Sequence, residues 1–145
     1  MRILMVSDVH FPRVNGVSTS IETFRRTLAG FGVEVRLVVP RYGDEPEEAG
    51  VIRVAGRAVP GDPEDRLVGW RAMHRAVLEA AGDCDLIHVQ TPFVAHYSGL
   101  KAARTLGLPV VATYHTLFEE YLQHYARLIP AGWLRGQARA FSRRQ

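Results

Sequence analysis

A doubly wound α/β fold, a parallel sheet flanked by helices, is what this sequence predicts, and three observations lead to it. Short apolar runs alternate along the chain with amphipathic segments of helical period. The runs are mostly continuous rather than alternating, as strands of a parallel sheet covered on both faces require. The stretch FPRVNGVSTSIETF carries an Asn15-Gly16 pair that usually marks a hairpin, but Val17, Ile21, Phe24, Leu28 and Phe31 follow it at spacings of four and three. Asn15-Gly16 therefore closes a loop from a strand into a helix, where glycine lets backbone N–H groups approach an anion at the positive end of the helix dipole.

Taken in order, strands are expected at Ile3 to Ser7, Glu34 to Val39, Val51 to Val54, Leu86 to Gln90 and Val110 to Tyr114. The first helix runs from Val17 to the glycines around Phe31. Trp70, Met73, His74, Val77, Leu78 and Ala81 mark a second. Thr91-Pro92 caps and starts a third, which stops at Gly107 with Pro109 beyond. Thr116 and Glu119 form a capping box for a helix whose apolar face is Phe118, Leu122, Tyr125 and Ile129. A last helix begins at Trp133. The stretches Arg41 to Gly50 and Arg57 to Asp65 are rich in Gly, Pro and acidic residues without periodicity, and read as surface loops.

Composition narrows the function classes. With 145 residues, 47% hydrophobic and 23% charged, the chain is expected to be one soluble domain. No run approaches the roughly 18 apolar residues of a membrane span, and the first residues do not form a signal peptide, so a cytoplasmic location is expected. The one cysteine, Cys84, offers neither a disulfide framework nor clustered metal ligands, and reads as a buried, inert thiol. The net charge of +3 is uneven: no acidic residue follows Glu120, and Arg135, Arg139 and Arg143 are spaced to form one basic helix stripe. That stripe is either a solvated face or a contact with an anionic membrane surface. Nucleic acid is not expected, since no aromatic platform or recognition motif accompanies it.

In doubly wound sheets, ligands sit at the carboxyl ends of the strands near the point where strand order reverses. Ser7 to Gly16, Gln90 to Phe93 and Tyr114 to Thr116 should gather there. The first loop brings Asp8, His10, Asn15 and Gly16; the third brings His115 and Thr116. His115, following VVATY at a helix start, is placed either to hydrogen-bond a ligand hydroxyl or developing charge, or to cap the helix. His10, His74 and His88 read more readily as structural. A nucleophile elbow, a P-loop and a close pair of loop carboxylates are all missing. The loop after the first strand holds one glycine where a dinucleotide fingerprint has three. The residues alone thus reach an anion-binding domain with a histidine in its crevice. An NADP-binding domain using Arg41 for a 2′-phosphate, and a non-catalytic binding module, stay as alternatives.

FPRVNGV, the helix end GFGVEVRLVVP, DLIHVQTPF and GLPVVATYHTLFEEYLQHY, in this order and at the expected strand ends, closely resemble the N-terminal half of family 4 glycosyltransferases. The resemblance implies a Rossmann-like half of a GT-B enzyme and a retaining transfer from a nucleotide-sugar donor with no cofactor and no metal. It implies that the chain, 1–145, is the acceptor-side domain, and that the C-terminal donor-binding domain with its acidic pair lies outside this sequence. By match, Gly16 with Asn15 and Val17 forms the loop facing donor phosphates or acceptor, His115 contacts the transferred sugar, and Thr116, Asp8 and His10 are acceptor-side candidates. VNGV with TPF and TYHT resembles members acting on lipids or lipid-linked acceptors, and cell-envelope glycan assembly fits as well. Such an enzyme would be peripheral on the inner face of the membrane.

Overall fold

A computed structural model describes residues 1–59, 62–113 and 115. Two compact units divide the chain, Met1–Thr113 and Tyr114–Gln145. In the second, only His115 is among the described residues. The helices expected after Thr116 and after Trp133, with the basic stripe, lie outside them.

The first unit is built in the order β1 (Arg2–Val6), α1 (Gly16–Gly30), β2 (Glu34–Arg41), β3 (Val51–Val59), β4 (Asp62–Val68), α2 (Trp70–Ala80), β5 (Leu86–Val89), α3 (Val94–Leu106) and β6 (Val110–Ala112). These form one six-stranded sheet in the order β4-β3-β2-β1-β5-β6. β1 pairs in parallel with both β2 and β5, placing Met5 opposite Leu37 on one side and His88 on the other. The chain thus winds outward through β2 and β3, then returns to the far side of β1, and the strand order reverses between β1 and β5. This is the predicted Rossmann-like topology.

β1 shows why its run is continuous. Ile3 and Met5 join Ile21 of α1 and Leu37 and Val39 of β2 on one face. Leu4 and Val6 join Val38, Met73 and Val77 of α2, and Ala95 and Ala102 of α3, on the other. Every second residue is buried under a different helix layer, so a polar residue at either parity would be desolvated without a partner. Cys84 is buried behind α2, where its Sγ lies 3.3 Å from the Ala80 carbonyl oxygen. Burial raises the thiol's pKa, in keeping with an inert role.

Two expectations are corrected. Arg57 to Asp65 is not a surface loop: β3 continues to Val59 and β4 returns antiparallel to it, with Arg57 opposite Leu67 and an irregularity at Ala58/Val59. Alternation was hidden because β4 is an edge strand, where the charges of Asp62, Glu64, Asp65 and Arg66 are tolerated and blunt the exposed edge. Secondly, Thr91-Pro92 does not start α3; the helix begins at Val94 with no side-chain cap from Phe93. Its end is as expected, at Gly107 in the left-handed conformation with φ 70°.

α3 lies against β5 because Gly99 has no side chain. A Cβ there would lie 2.8 Å from Val89 Cγ2 and 3.4 Å from Ile87 Cγ2. Gly99→Ala gains about 1 kcal/mol of helix propensity but forces an overpacked contact that costs about 1–3 kcal/mol, so net destabilisation is expected in urea unfolding. Gly16→Ala, where a Cβ meets nothing within 4 Å, should leave the midpoint nearly unchanged.

Candidate functional site

Two loops meet where the strand order reverses. After β1, the Asp8 N–H donates to Thr91 Oγ1 at 2.8 Å, and the Thr91 hydroxyl donates to Asp8 Oδ2 at 2.7 Å. The Ala95 N–H donates to the same carboxylate, 3.0 Å from Oδ1 and 3.2 Å from Oδ2. Asp8 is therefore the missing cap of α3, supplied from a loop 87 positions earlier in the chain. Burial dominates its titration and pushes the pKa up to about 6, against the opposing pull of the Thr91 hydroxyl and the N–H groups of Ala95, Phe93 and Val94. The carboxylate offered as an acceptor-side candidate thus joins both loops to the positive end of α3.

The second helix terminus at this edge is that of α1. Asn15 caps it: its Oδ1 accepts from the Ser18 N–H at 2.9 Å and its carbonyl accepts from the Thr19 N–H at 3.0 Å. Ser18 Oγ donates back to the Arg13 carbonyl at 2.7 Å, fixing the approach of the loop. Asn15-Gly16 opens a helix, as the spacing of apolar residues requires. Gly16 does not use glycine's left-handed freedom, since positive φ occurs at Gly32, Gly50 and Gly107 among the described residues. What the missing side chain provides is open space over the first turn. The N–H groups of Gly16 and Val17 precede the first intrahelical bond and are the donors the helix presents there.

His10 is turned inward. It is 2% exposed, with Nε2 3.5 Å from Glu22 Oε1 on α1 and its ring edge-on to Phe11. Burial lowers its pKa, Glu22 pulls it back, and Arg53 and Arg25 lower it further. Glu22 is shared with Arg25 at 2.6 Å, which also reaches Glu48 at 2.8 Å. The loop carbonyl of Phe11 accepts from Arg53 at 3.0 Å. These contacts hold the loop after β1 onto the fold.

His115 belongs to the second unit, half-buried, with its pKa lowered by burial. Thr116 lies outside the described residues. His88 Nε2 is 2.7 Å from Thr113 Oγ1, just past β6, and packs edge-on to Phe24 of α1. His74 stacks on Trp70. His96, on α3, is also buried with a lowered pKa and was not singled out from sequence.

A groove of about 690 Å³ was missed as well. Its walls are the loop after β1 (Pro12 to Val14), the β2–β3 loop (Tyr42 to Glu45), and Glu64 and Arg66 of β4. Arg13 ion-pairs with Glu64 and, at 2.8 Å, with Asp65. Arg66 donates to the Tyr42 carbonyl at 2.9 Å and covers its ring. The signal available was the arginine-acid complementarity between PRV and DPEDR, which becomes visible only once β4 is known to fold back beside that loop.

Residues 14–145 match the family model described as Glycosyltransferase Family 4. The chain is 35% identical over 135 residues to an alpha-monoglucosyldiacylglycerol synthase of Streptococcus pneumoniae, covering 88% of this chain and 29% of that protein. It is 32% identical over 139 residues to a GDP-mannose-dependent alpha-mannosyltransferase of Mycolicibacterium smegmatis, covering 86% and 35%. A sulfoquinovosyl transferase of Arabidopsis thaliana is 30% identical over 125 residues, covering 84% and 24%. The chain thus spans about a third or less of the curated relatives it matches. Among solved structures, an alpha-glucosyltransferase in complex with UDP superposes with a TM-score of 0.52 at 15% identity, covering 83% of this chain and 30% of that one. The C-terminal domain of a Pyrococcus furiosus hydrogenase does so at 0.51 and 13%, covering 77% and 90%. Likeness at these identities is one of fold.

The raised pKa of Asp8 makes a sign-definite pH test. Its folded pKa, about 6, is above the ordinary 3.8, so the folded state holds the proton more tightly. The stability this contributes is full below pH 4 and is lost as pH rises to 6, a change of about 3 kcal/mol at most. Asp8→Asn, which does not titrate, should gain stability relative to wild type across that window in parallel urea titrations. A difference between the two proteins that is flat from pH 4 to 6 contradicts this.

Proposed function

The chain belongs to glycosyltransferase family 4, and from that premise we propose that it is the acceptor-side half of a retaining enzyme. The enzyme moves a sugar from a nucleotide-sugar donor to a lipid, lipid-linked or cell-envelope glycan acceptor. The observation that carries this reading is the open α1 terminus at Gly16, beside the reversal of strand order. It offers oriented N–H donors to a diphosphate with room for close approach. Relatives named for glucosyldiacylglycerol and sulfoquinovosyl products support a lipid acceptor, and the name "GDP-mannose-dependent" supports a nucleotide-sugar donor. The family assignment replaces the dinucleotide alternative raised by Arg41, the last residue of β2.

In this reading the Asn15-Gly16-Val17 turn steadies the negative charge that develops on the leaving diphosphate, without a bound metal. His115 hydrogen-bonds the transferred sugar as charge builds on it. The second half of the enzyme supplies the remaining donor contacts, so transfer needs the full-length protein. The acceptor places the reaction at the inner face of the membrane. Among the described residues no helix is long and apolar enough to cross one.

The test uses the full-length protein with radiolabelled nucleotide sugars and diacylglycerol in mixed micelles. Transfer to lipid is expected, and NMR of the product should show the donor's anomeric configuration. His115→Ala should lower kcat by about 10²-fold with folding intact. Gly16→Val, which fills the space over the α1 terminus, should raise the donor KM. Absence of transfer to any lipid or glycan acceptor overturns the reading, and unchanged kcat in His115→Ala removes that residue's role.

A further inference from the structure

The groove between the loop after β1, the β2–β3 loop and β4 has walls that are cross-linked to one another. Arg53 Nη1 donates to the carbonyl oxygens of Phe11 and Pro40 at 3.0 and 3.3 Å, and lies 3.9 Å from Glu45 Oε1. Glu45 accepts from the Tyr42 N–H at 2.7 Å and from the Gly43 N–H at 3.1 Å, which fixes the β2–β3 loop. The Tyr42 hydroxyl accepts from the His10 N–H at 3.4 Å, and the Tyr42 carbonyl accepts from Arg66 at 2.9 Å. Arg13 closes the third side on Glu64, Asp65 and Asp62. Each wall is thus tied to the other two, and the fold itself holds open a hollow of about 690 Å³, a volume ordinary for a small-molecule site.

The lining selects by charge. It carries the carboxylates of Asp44 and Glu64 together with the guanidinium groups of Arg13 and Arg66, so an ionic ligand of either sign meets a like charge. A hydroxyl meets none, because it donates to a carboxylate and accepts from a guanidinium N–H. Pro12 and Val14, on the same lining, are exposed, Val14 at 78%, and offer apolar surface. A pyranose ring, with hydroxyls on its rim and C–H groups on its faces, matches both. Strands stand ~4.8 Å apart, so β4, three places from β1 in the sheet, is roughly 14 Å from it, and the groove lies beside the reversal of strand order rather than over it. We propose that this groove is a subsite for a neutral sugar that the acceptor already carries, next to the group that receives the transferred sugar. The proposal rests on the transfer reading above and narrows its acceptor to a glycosylated lipid or glycan. Val14 lines the groove and Asn15 caps α1, so a sugar seated here leaves the neighbouring part of the acceptor at the Gly16 terminus.

The test is saturation-transfer NMR of the protein with methyl α-glucoside and methyl α-mannoside, and with glucuronate and glucosamine as charged counterparts. The neutral glycosides should receive saturation and the charged sugars much less. Asp44→Asn/Glu64→Gln should weaken glycoside binding about tenfold, since hydrogen bonds to charged groups are lost. Both residues are exposed and Arg13 keeps Asp65, so circular dichroism should be unchanged. Val14→Asp, which adds a charge at an exposed position, should weaken binding as well. In the full-length protein, monoglucosyldiacylglycerol should have a lower KM than diacylglycerol, and the double variant should narrow that difference. Preference for monoglucosyldiacylglycerol over maltose as acceptor marks a glycolipid as the source of the sugar, and the reverse marks a free glycan. Saturation that ignores the charge of the sugar, or that survives in both variants, overturns the groove as a sugar site. Equal KM for diacylglycerol and both glycosylated acceptors in an active enzyme overturns its link to the acceptor. Loss of transfer to every acceptor bears on the enzyme reading, whereas the NMR result is measured without turnover.

Discussion

One half-buried carboxylate ties the carboxyl edge of this molecule together. Asp8 accepts from the Thr91 hydroxyl and from the first turn of α3, so the loop after β1, the loop after β5 and the terminus of α3 are held at a single point. In a doubly wound sheet these loops are joined only through the strands beneath them, and each is otherwise free to move on its own. A carboxylate can make the join because it accepts several hydrogen bonds at once and because its charge suits a helix N-terminus. The cost is desolvation, visible in a pKa raised to about 6. Two helix termini at the same edge are thereby treated differently: α3 is filled from within the chain, while α1 is capped by Asn15 yet left open above Gly16. At α1 an incoming anion meets an open terminus, whereas the terminus of α3 already has its anion.

The opposite edge of the sheet shows what a purely structural solution looks like. Arg2 pairs with Glu34 at 2.7 Å and with Asp83, and Asp83 is shared with Arg36 at 2.5 Å. These groups are largely exposed, their pKa directions follow from ordinary charge pairing, and each pair contributes little. They tie down strand starts where β1, β2 and the turn before β5 come together. Cations and anions there neutralise one another in pairs. At the carboxyl edge, by contrast, the carboxylate is half-buried in hydrogen bonds to the chain and the donors around Gly16 face open space.

Much of this was legible in the sequence because the physics was local. Continuous apolar runs located β1, β2 and β5, a helical period after Asn15-Gly16 excluded the hairpin, and Gly107 before Pro109 marked the end of α3. The match of four segments to a family offered Gly16 and His115 as site candidates. What stayed hidden depended on distant partners. α3 takes its cap from a residue 87 positions earlier, so Thr91-Pro92 next to it looked like the start signal. β4 is an edge strand whose charges serve the loop after β1, and reading it alone showed only a polar, proline-containing stretch. The groove above it and the inward turn of His10 followed from that same long-range packing and left no local mark.

Gly16 shows why function needs a different argument from conformation. The sequence invites the view that a glycine in such a loop is there for a backbone angle other residues avoid, yet its φ is not positive and nothing crowds it. A structural role would have left a trace, such as the 2.8 Å approach that explains Gly99. Gly16 has neither strain nor a close neighbour among the described residues, so the protein's own packing does not demand it. The space over the first turn of α1 is then a property of the surface, at a helix terminus whose leading N–H groups are not taken by a carboxylate. In the proposed function that space receives a ligand from outside the fold, and a diphosphate is the chemistry that such a terminus suits best.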